Sequence, residues 1–285
     1  MAQVTIAGCL SECLPIDAEA KEDFFLFEKG SEMQKVASQD GTEIAYDVAG
    51  SGPGLVLIAG AFTDRSFFTP YVEALSTAFT VVNYDRRGRG DSGDTAPYAV
   101  EREWEDLAAL QAVTGARFAC AFSSGVMVLL QSGVAFERLA VVEPPFRVEG
   151  APPVPDRYLE RLQEFVAAGN PAGVAELFMV EAVGQPKEVV DQIRETPMWP
   201  GLVAMAPTLV YDALQMRDSA VPTALLSSIE TPTLALFSNA SPAWLQESTR
   251  QTAAALPNAR AEGHEGTFHT LSPETLTQVL TDYFA

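Results

Sequence analysis

Histidine, cysteine and lysine are all scarce in this 285-residue chain, and each scarcity closes off a class of chemistry. The two histidines, His264 and His269, are too few for a histidine-rich metal site and leave little choice of an imidazole base. The three cysteines, Cys9, Cys13 and Cys120, form an odd set without framework spacing, which reads as a chain of a reducing compartment. Cys9 and Cys13 have no second Cys or His pair nearby to complete a zinc site, so no metal is expected. With four lysines (Lys21, Lys29, Lys35, Lys187), most positive charge is arginine, and 18 basic against 38 acidic residues give a net charge of −20. So acidic a surface repels phosphate backbones and anionic lipid, and neither nucleic acid nor membrane is expected as a partner. No apolar run approaches the ~20 residues of a membrane span. The N-terminus has no basic region and turns acidic from Asp17 to Asp23, unlike a secretory signal, so the expected location is the cytoplasm.

What is present is ordinary globular material: 47% hydrophobic and 20% charged residues, in a length that suits one large α/β domain with an inserted subdomain. Residues 1–32 stand apart as an N-terminal extension that mixes small and acidic residues with one greasy cluster, Phe24-Phe25-Leu26-Phe27. That cluster is either part of a flexible appendage or seeks cover on the chain's own body or on a neighbour, as in a homodimer. From Gln34 the chain alternates apolar runs with helical patterns. Strands are expected at 34–37, 43–48, 55–58, 80–84, 118–122, 139–142, 233–237 and 259–261, several of them continuously apolar as in parallel strands covered on both faces. Helices are expected at 67–76, 100–114, 124–133, 242–256 and 273–284. Asp40-Gly41 between the first two runs suggests an antiparallel opening, and the βαβαβ pattern that follows argues for a doubly wound, mostly parallel eight-stranded sheet. Residues 147–230 break the alternation with helical patterns at 156–168, 171–183 and 186–195 between prolines and glycines. They read as a helical cap between strands 6 and 7, leaving 33–146 and 231–285 as the core.

One stretch carries candidate chemistry. The run Phe118–Phe122 ends at Ser123, and a helical pattern begins at Ser124. A serine on so tight a strand-to-helix bend needs small neighbours, which Ala121 and Gly125 supply two positions to either side. The bend lifts the hydroxyl out of the sheet and sets it beside the free N–H groups of a helix N-terminus. The bland alternative is that Ser123 and Ser124 simply cap the helix.

Other segments agree with a specific scaffold. Asp40–Tyr46, Leu55–Phe62, the Asp85-Arg86-Arg87-Gly88-Arg89-Gly90-Asp91-Ser92 loop, Val142–Pro145 and the closing helix before Phe284 together resemble the α/β-hydrolase fold family over residues 34–285. The resemblance implies a nucleophile at Ser123, oxyanion donors at the backbone N–H groups of Ala61 and Ser124, and a base at His269, which ends a glycine-x-x-His stretch. His264 falls too early and reads as a partly buried polar side chain. Arg87 and Asp91 belong to a loop that is mainly structural in the family, and both are expected in a buried turn network. The family's usual acid after strand 7 is missing, since Phe237–Pro242 holds no carboxylate. Its alternative site, directly after strand 6, is Glu143, which keeps the order nucleophile, acid, histidine; a purely structural glutamate bonded to loop backbone is the competing reading.

The expected activity is that of a serine hydrolase of esterase, lactonase or thioesterase type, without cofactor, acting as monomer or homodimer on a small to medium apolar molecule. Its pocket walls are expected among Phe62, Phe122, Phe146, Phe178, Met179, Trp199 and Tyr211. The alternative is a non-hydrolytic tailoring enzyme (cyclase, lyase, epimerase or cofactor-free oxygenase). It is motivated by Ala59 in place of the usual oxyanion-loop histidine, by Phe122 before the serine and by the displaced acid. A catalytically silent binding protein is a third class that the fold also hosts.

Overall fold

The computed structural model describes residues 33–285, so Cys9, Cys13 and the Phe24–Phe27 cluster lie outside the described residues. Eight strands form one sheet: β1 (Gln34–Ala37), β2 (Glu43–Ala49), β3 (Gly54–Ile58), β4 (Thr80–Tyr84), β5 (Phe118–Phe122), β6 (Arg138–Val142), β7 (Thr233–Ser238) and β8 (Ala259–His264). Their spatial order is β1-β2-β4-β3-β5-β6-β7-β8. The pairs β1–β2 and β2–β4 are antiparallel and every later pair is parallel. The chain steps outward from β3 to β4 and then returns past β3 to β5. The crevice beyond the carboxyl ends of β3 and β5 is therefore the switch point at which open α/β sheets bind their ligands.

Alternate residues of the buried strands feed two hydrophobic cores. Val56, Ile58, Val82, Ala119 and Val141 pack under α2 (Val100–Thr114), α3 (Gly125–Ser132) and α10 (Ala243–Ala255). Leu55, Leu57, Val81, Phe118 and Leu236 pack under α1 (Thr69–Leu75) and α11 (Pro273–Phe284). Local chemistry sets the helix ends. Gly115 adopts φ 66° and closes α2 with an N–H bond to the Gln111 carbonyl, while the Ser272 hydroxyl accepts the Thr275 N–H at the start of α11.

Between β6 and β7 the chain is helical: α4 (Tyr158–Ala167), α5 (Pro171–Leu177), a π-turn over Phe178–Ala182, α6 (Lys187–Arg194), α7 (Trp199–Met205), α8 (Leu209–Met216) and α9 (Thr223–Leu226). This insertion has a core of its own, built on Leu162, Val174, Met179, Val190 and Leu209, against which Ala61 and Phe62 of the β3 loop pack. A single bridge, Arg147 to Ala220, ties its two feet together.

Two sequence expectations change. The last strand runs to His264 rather than ending at 261, because its distal half is polar and lies at the sheet edge, where apolar patterning gives no signal. The helix expected from 67 is a 3-10 turn over Arg65–Phe68 followed by α1, with the Asp64 side chain accepting the Ser66 N–H at its start. Among the described residues no helix is long and apolar enough to cross a membrane.

Candidate active site

Ser123 occupies a left-handed conformation, φ 52°, at the junction of β5 and α3. That conformation costs an L-residue energy, and the surroundings enforce it. The Ser123 N–H donates to the Val142 carbonyl at 2.9 Å, and its own carbonyl accepts from Val126 at 3.1 Å. Two glycines make room. A Cβ on Gly60 would lie 2.8 Å from the Ser123 Cβ, and a Cβ on Gly125 would lie 2.4 Å from the Ala59 carbonyl oxygen. The start of α3 is thus packed directly onto the end of β3, with no space for a methyl group.

Glu143 follows β6, the strand beside β5, and also has positive φ, 46°. It is fully buried. Its N–H donates to Leu236, its Oε1 accepts the Ser238 N–H at 2.7 Å, and its Oε2 lies 2.8 Å from His269 Nδ1. The carboxylate therefore reaches across to the end of β7, the place where the sequence holds no acid. An ionised carboxylate only accepts, so the neutral imidazole that suits this contact is the tautomer with its proton on Nδ1 and its lone pair on Nε2. His269 sits in the turn of a small hairpin, β9 (Gly266–Thr267) with β10 (Thr270–Leu271), that the sequence did not disclose. Its φ is 61°, and its N–H donates to the Ser241 hydroxyl at 2.9 Å. The Tyr71 hydroxyl donates to the Leu271 carbonyl and anchors the hairpin to α1. His264, at the end of β8, instead meets Glu262 at 3.3 Å.

A buried arginine network reaches the Gly60 carbonyl and, through Asp212, the residue after Ser123. Arg86 forms a two-pronged pair with Glu103 (2.5 and 2.8 Å) and reaches Asp212 of α8 at 2.9 Å. Arg89 donates to the Gly60 carbonyl and to the second Asp212 oxygen, both at 2.6 Å. The Ser124 hydroxyl donates to Asp212 at 2.9 Å. Burial opposes ionisation of Asp212, but Arg89 and Arg86 outweigh it and hold the carboxyl below the ordinary carboxylate range. Arg87 is likewise buried, paired with Asp106 and Asp40. Asp91 departs from expectation: its side chain is 58% exposed and pairs with Arg65 at 2.6 Å, while Asp85 takes the buried position in the loop. Asp212, Arg89, Ser238 and Ser241 were not among the sequence candidates. The available signal for Asp212 was a lone acid among apolar residues in Leu209–Met216.

The apolar candidates divide. Phe62 meets Phe178 of the π-turn edge-on, with centroids 5.4 Å apart, so the insertion touches the loop that follows β3. The Phe122 ring turns the other way, into a cluster with Phe67, Phe68 and Tyr71 beneath the sheet. Phe146 is buried with its N–H on the Ser248 hydroxyl, and Met179 is buried in the insertion's own core. Trp199 lies under the Arg194 guanidinium. Tyr211 stacks on Tyr98 at 3.8 Å with its hydroxyl on Asp94. Packing, rather than a wall open to solvent, is thus the observed role of Phe122, Phe146 and Met179. Cys120 lies within β5, where burial pushes its thiol up and keeps it protonated. Among the described residues no cluster of His, Cys, Asp or Glu is arranged to hold a metal ion.

In sequence and fold the chain is similar to known proteins. The sequence profile described as Alpha/beta hydrolase family matches residues 55–279. The crystal structure of an alpha/beta hydrolase from Sphaerobacter thermophilus DSM 20745 shares 46% identity, covers 88% of this chain and 100% of its own, and superposes with a TM-score of 0.82. At 23% identity, a thermophilic esterase from Thermogutta terrifontis covers 89% of this chain and 98% of its own with a TM-score of 0.69. The enol-lactonase from Burkholderia xenovorans LB400, 21% identical, covers 88% of this chain and 99% of its own with a TM-score of 0.65. The last two share the fold, and the profile match together with the first relative shows that the chain belongs to the alpha/beta hydrolase family.

Proposed function

We propose that the chain is a serine hydrolase that cleaves a carboxylic ester, lactone or thioester of small to medium apolar character through an acyl-enzyme on Ser123. The observation that supports this reading most strongly is the buried Glu143 carboxylate bonded to Nδ1 of His269, one strand away from the strained Ser123. That pair fixes the imidazole tautomer and leaves Nε2 as a base.

His269 Nε2 takes the Ser123 proton as Oγ attacks the substrate carbonyl, whose π electrons move to oxygen. The N–H groups of Ala61 and Ser124 hold the resulting oxyanion, typically worth ~3–4 kcal/mol per donor. The tetrahedral intermediate collapses, the alkoxide or thiolate leaves with the proton from Nε2, and the acyl group stays on Ser123. Water then gives a proton to Nε2, attacks the acyl carbon and releases the acid, and the proton returns to Oγ. Glu143 remains ionised and steadies the imidazolium in each half-reaction. The insertion 147–230 acts as the cap of this site, with Phe178 against Phe62 giving its underside an aromatic surface suited to an apolar substrate.

A fluorophosphonate probe is expected to label wild type on Ser123, with labelling lost in His269→Ala, and p-nitrophenyl esters are expected to be turned over by wild type but not by Ser123→Ala. An unlabelled wild-type protein that still converts a substrate would reject the acyl-enzyme and favour a non-hydrolytic reaction on the same scaffold.

A further inference from the structure

Both proposed oxyanion donors are tied, through buried side chains, to one carboxylate of the insertion. The first donor, the Ala61 N–H, belongs to the peptide unit whose carbonyl is that of Gly60. A trans peptide is planar with its C=O and N–H pointing opposite ways, so whatever fixes the Gly60 oxygen also fixes the direction of the Ala61 N–H. That oxygen accepts from Arg89 Nη1 at 2.6 Å, from Arg86 Nη1 at 3.3 Å and from the Thr63 hydroxyl at 3.1 Å. Two guanidinium groups on one carbonyl also polarise the amide and strengthen its N–H as a donor. The second donor, the Ser124 N–H, belongs to a residue whose hydroxyl is bonded 2.9 Å from Asp212 Oδ1.

Two buried arginines on the same oxygen repel one another and need an anion between them. Glu103 covers the Nε and Nη2 edge of Arg86. Asp212 supplies the rest: Oδ1 accepts from Arg86 Nη1 and from Ser124, and Oδ2 accepts from Arg89 Nη2. Asp212 is 5% exposed, and it comes from α8, outside the sheet and outside the loops that carry Ser123, Glu143 and His269.

We propose that Asp212 is a positioning residue for the oxyanion pocket: its carboxylate, delivered by the cap, holds the Gly60–Ala61 peptide through Arg86 and Arg89 and holds Ser124 directly, so that seating of the cap and formation of the anion site are one event. This role rests on the serine-hydrolase reading above. It assigns Asp212 no contact with substrate.

Asp212→Asn keeps the size of the side chain and an oxygen for Ser124 but removes the charge between the arginines. With a p-nitrophenyl ester, kcat per folded molecule is expected to fall by about 10²-fold, the order of a lost oxyanion donor, with KM within about threefold. Affinity for a trifluoromethyl ketone, which forms an oxyanion adduct on the serine, is expected to fall in step with kcat/KM. A merely structural Asp212 would lower the melting temperature and the folded fraction while leaving kcat per folded molecule and the inhibitor affinity at wild-type values, and that result overturns the proposal. Should Asp212→Asn fail to fold, Ser124→Ala decides: it removes only the hydroxyl on Asp212 and is expected to lower kcat by about fivefold at unchanged KM, whereas wild-type kcat and inhibitor affinity reject the role. Wild-type labelling by fluorophosphonate separates the two readings. A labelled wild type with unaffected variants removes the role of Asp212 alone, while an unlabelled wild type removes the serine mechanism and this proposal with it.

Discussion

Glu143 and Asp212 are both buried carboxylates that hold the polar groups around Ser123, but they are delivered by different parts of the molecule. Glu143 is the residue after β6, and its backbone and side chain are fixed by β7 through Leu236 and Ser238. The acid of the proposed pair is therefore held by the parallel ladder, while its base, His269, is carried by the β9–β10 hairpin beside it. Asp212 arrives on α8 of the insertion, whose hydrophobic core is separate from the two cores of the sheet. On the proposal above, the oxyanion side is only as well formed as the seating of that insertion. The proposal thereby divides the site into a part that would assemble with the sheet and a part that would assemble as the insertion seats, and the following variants test that division.

The largest effect should come from the sheet-borne side. In Glu143→Gln an amide replaces a group that accepts from both Ser238 and His269, so one donor is left facing a donor or the imidazole tautomer reverses. Turnover is expected to drop by on the order of 10³–10⁴-fold, with folding retained, as judged by ester hydrolysis alongside thermal unfolding. Normal specific activity in the folded fraction would make Glu143 a purely structural residue and would erase the division.

Gly125→Ala strikes the seam between the two sides. Its Cβ would stand 2.4 Å from the Ala59 oxygen, so α3 must move away from β3 and carry the Ser124 N–H with it. A loss of roughly 2–3 kcal/mol in urea unfolding is expected, with kcat lower by at least tenfold. An unchanged kcat in a destabilised protein would show that the Ser124 N–H does not take part in the chemistry.

How much of this was legible in the sequence follows the physics of each element. The interior strands β3 to β7 were readable to within a residue because burial on both faces makes them continuously apolar. The edge strand β8 was cut short, and the β9–β10 hairpin that carries His269 was not visible, since its pairing is local and its side chains are mostly polar. The small neighbours of a crowded bend left Ser123 open to a helix-capping reading, and its expectation as a nucleophile came from the family resemblance of the other segments. Glu143 emerged from chain order, because no carboxylate follows β7. Asp212 was marked in the sequence only as a lone acid among apolar residues: its partners lie 88 to 126 positions away, so that local pattern says nothing of what the acid holds. The same blindness put Asp91 in the buried turn and left out Asp85, two acids whose surroundings differ only in three dimensions.

Leu162→Ala tests the closing part alone. Leu162 is fully buried in the insertion, and its truncation is expected to weaken that core by about 2–4 kcal/mol. Amide hydrogen exchange should then quicken across α4, α5 and α8 while β5 and β6 keep their protection. A fall in kcat of several-fold should accompany this change. Exchange that quickens equally in the sheet would mean that insertion and sheet unfold as one unit, and the contrast between the two carboxylates would lose its basis.

The smallest effect separates packing from substrate contact at the margin of the insertion. Tyr211 neighbours Asp212 on α8, yet its ring lies flat on Tyr98 and its hydroxyl points to the exposed Asp94. Tyr211→Phe keeps the stack and removes one hydrogen bond near solvent, so a change within about 1 kcal/mol in stability is expected, with kcat and KM within twofold. If KM instead rises severalfold for apolar esters at constant stability, the Tyr211 hydroxyl meets substrate. The insertion would then contribute recognition as well as closure, and the flank by Asp94 would become part of the binding surface.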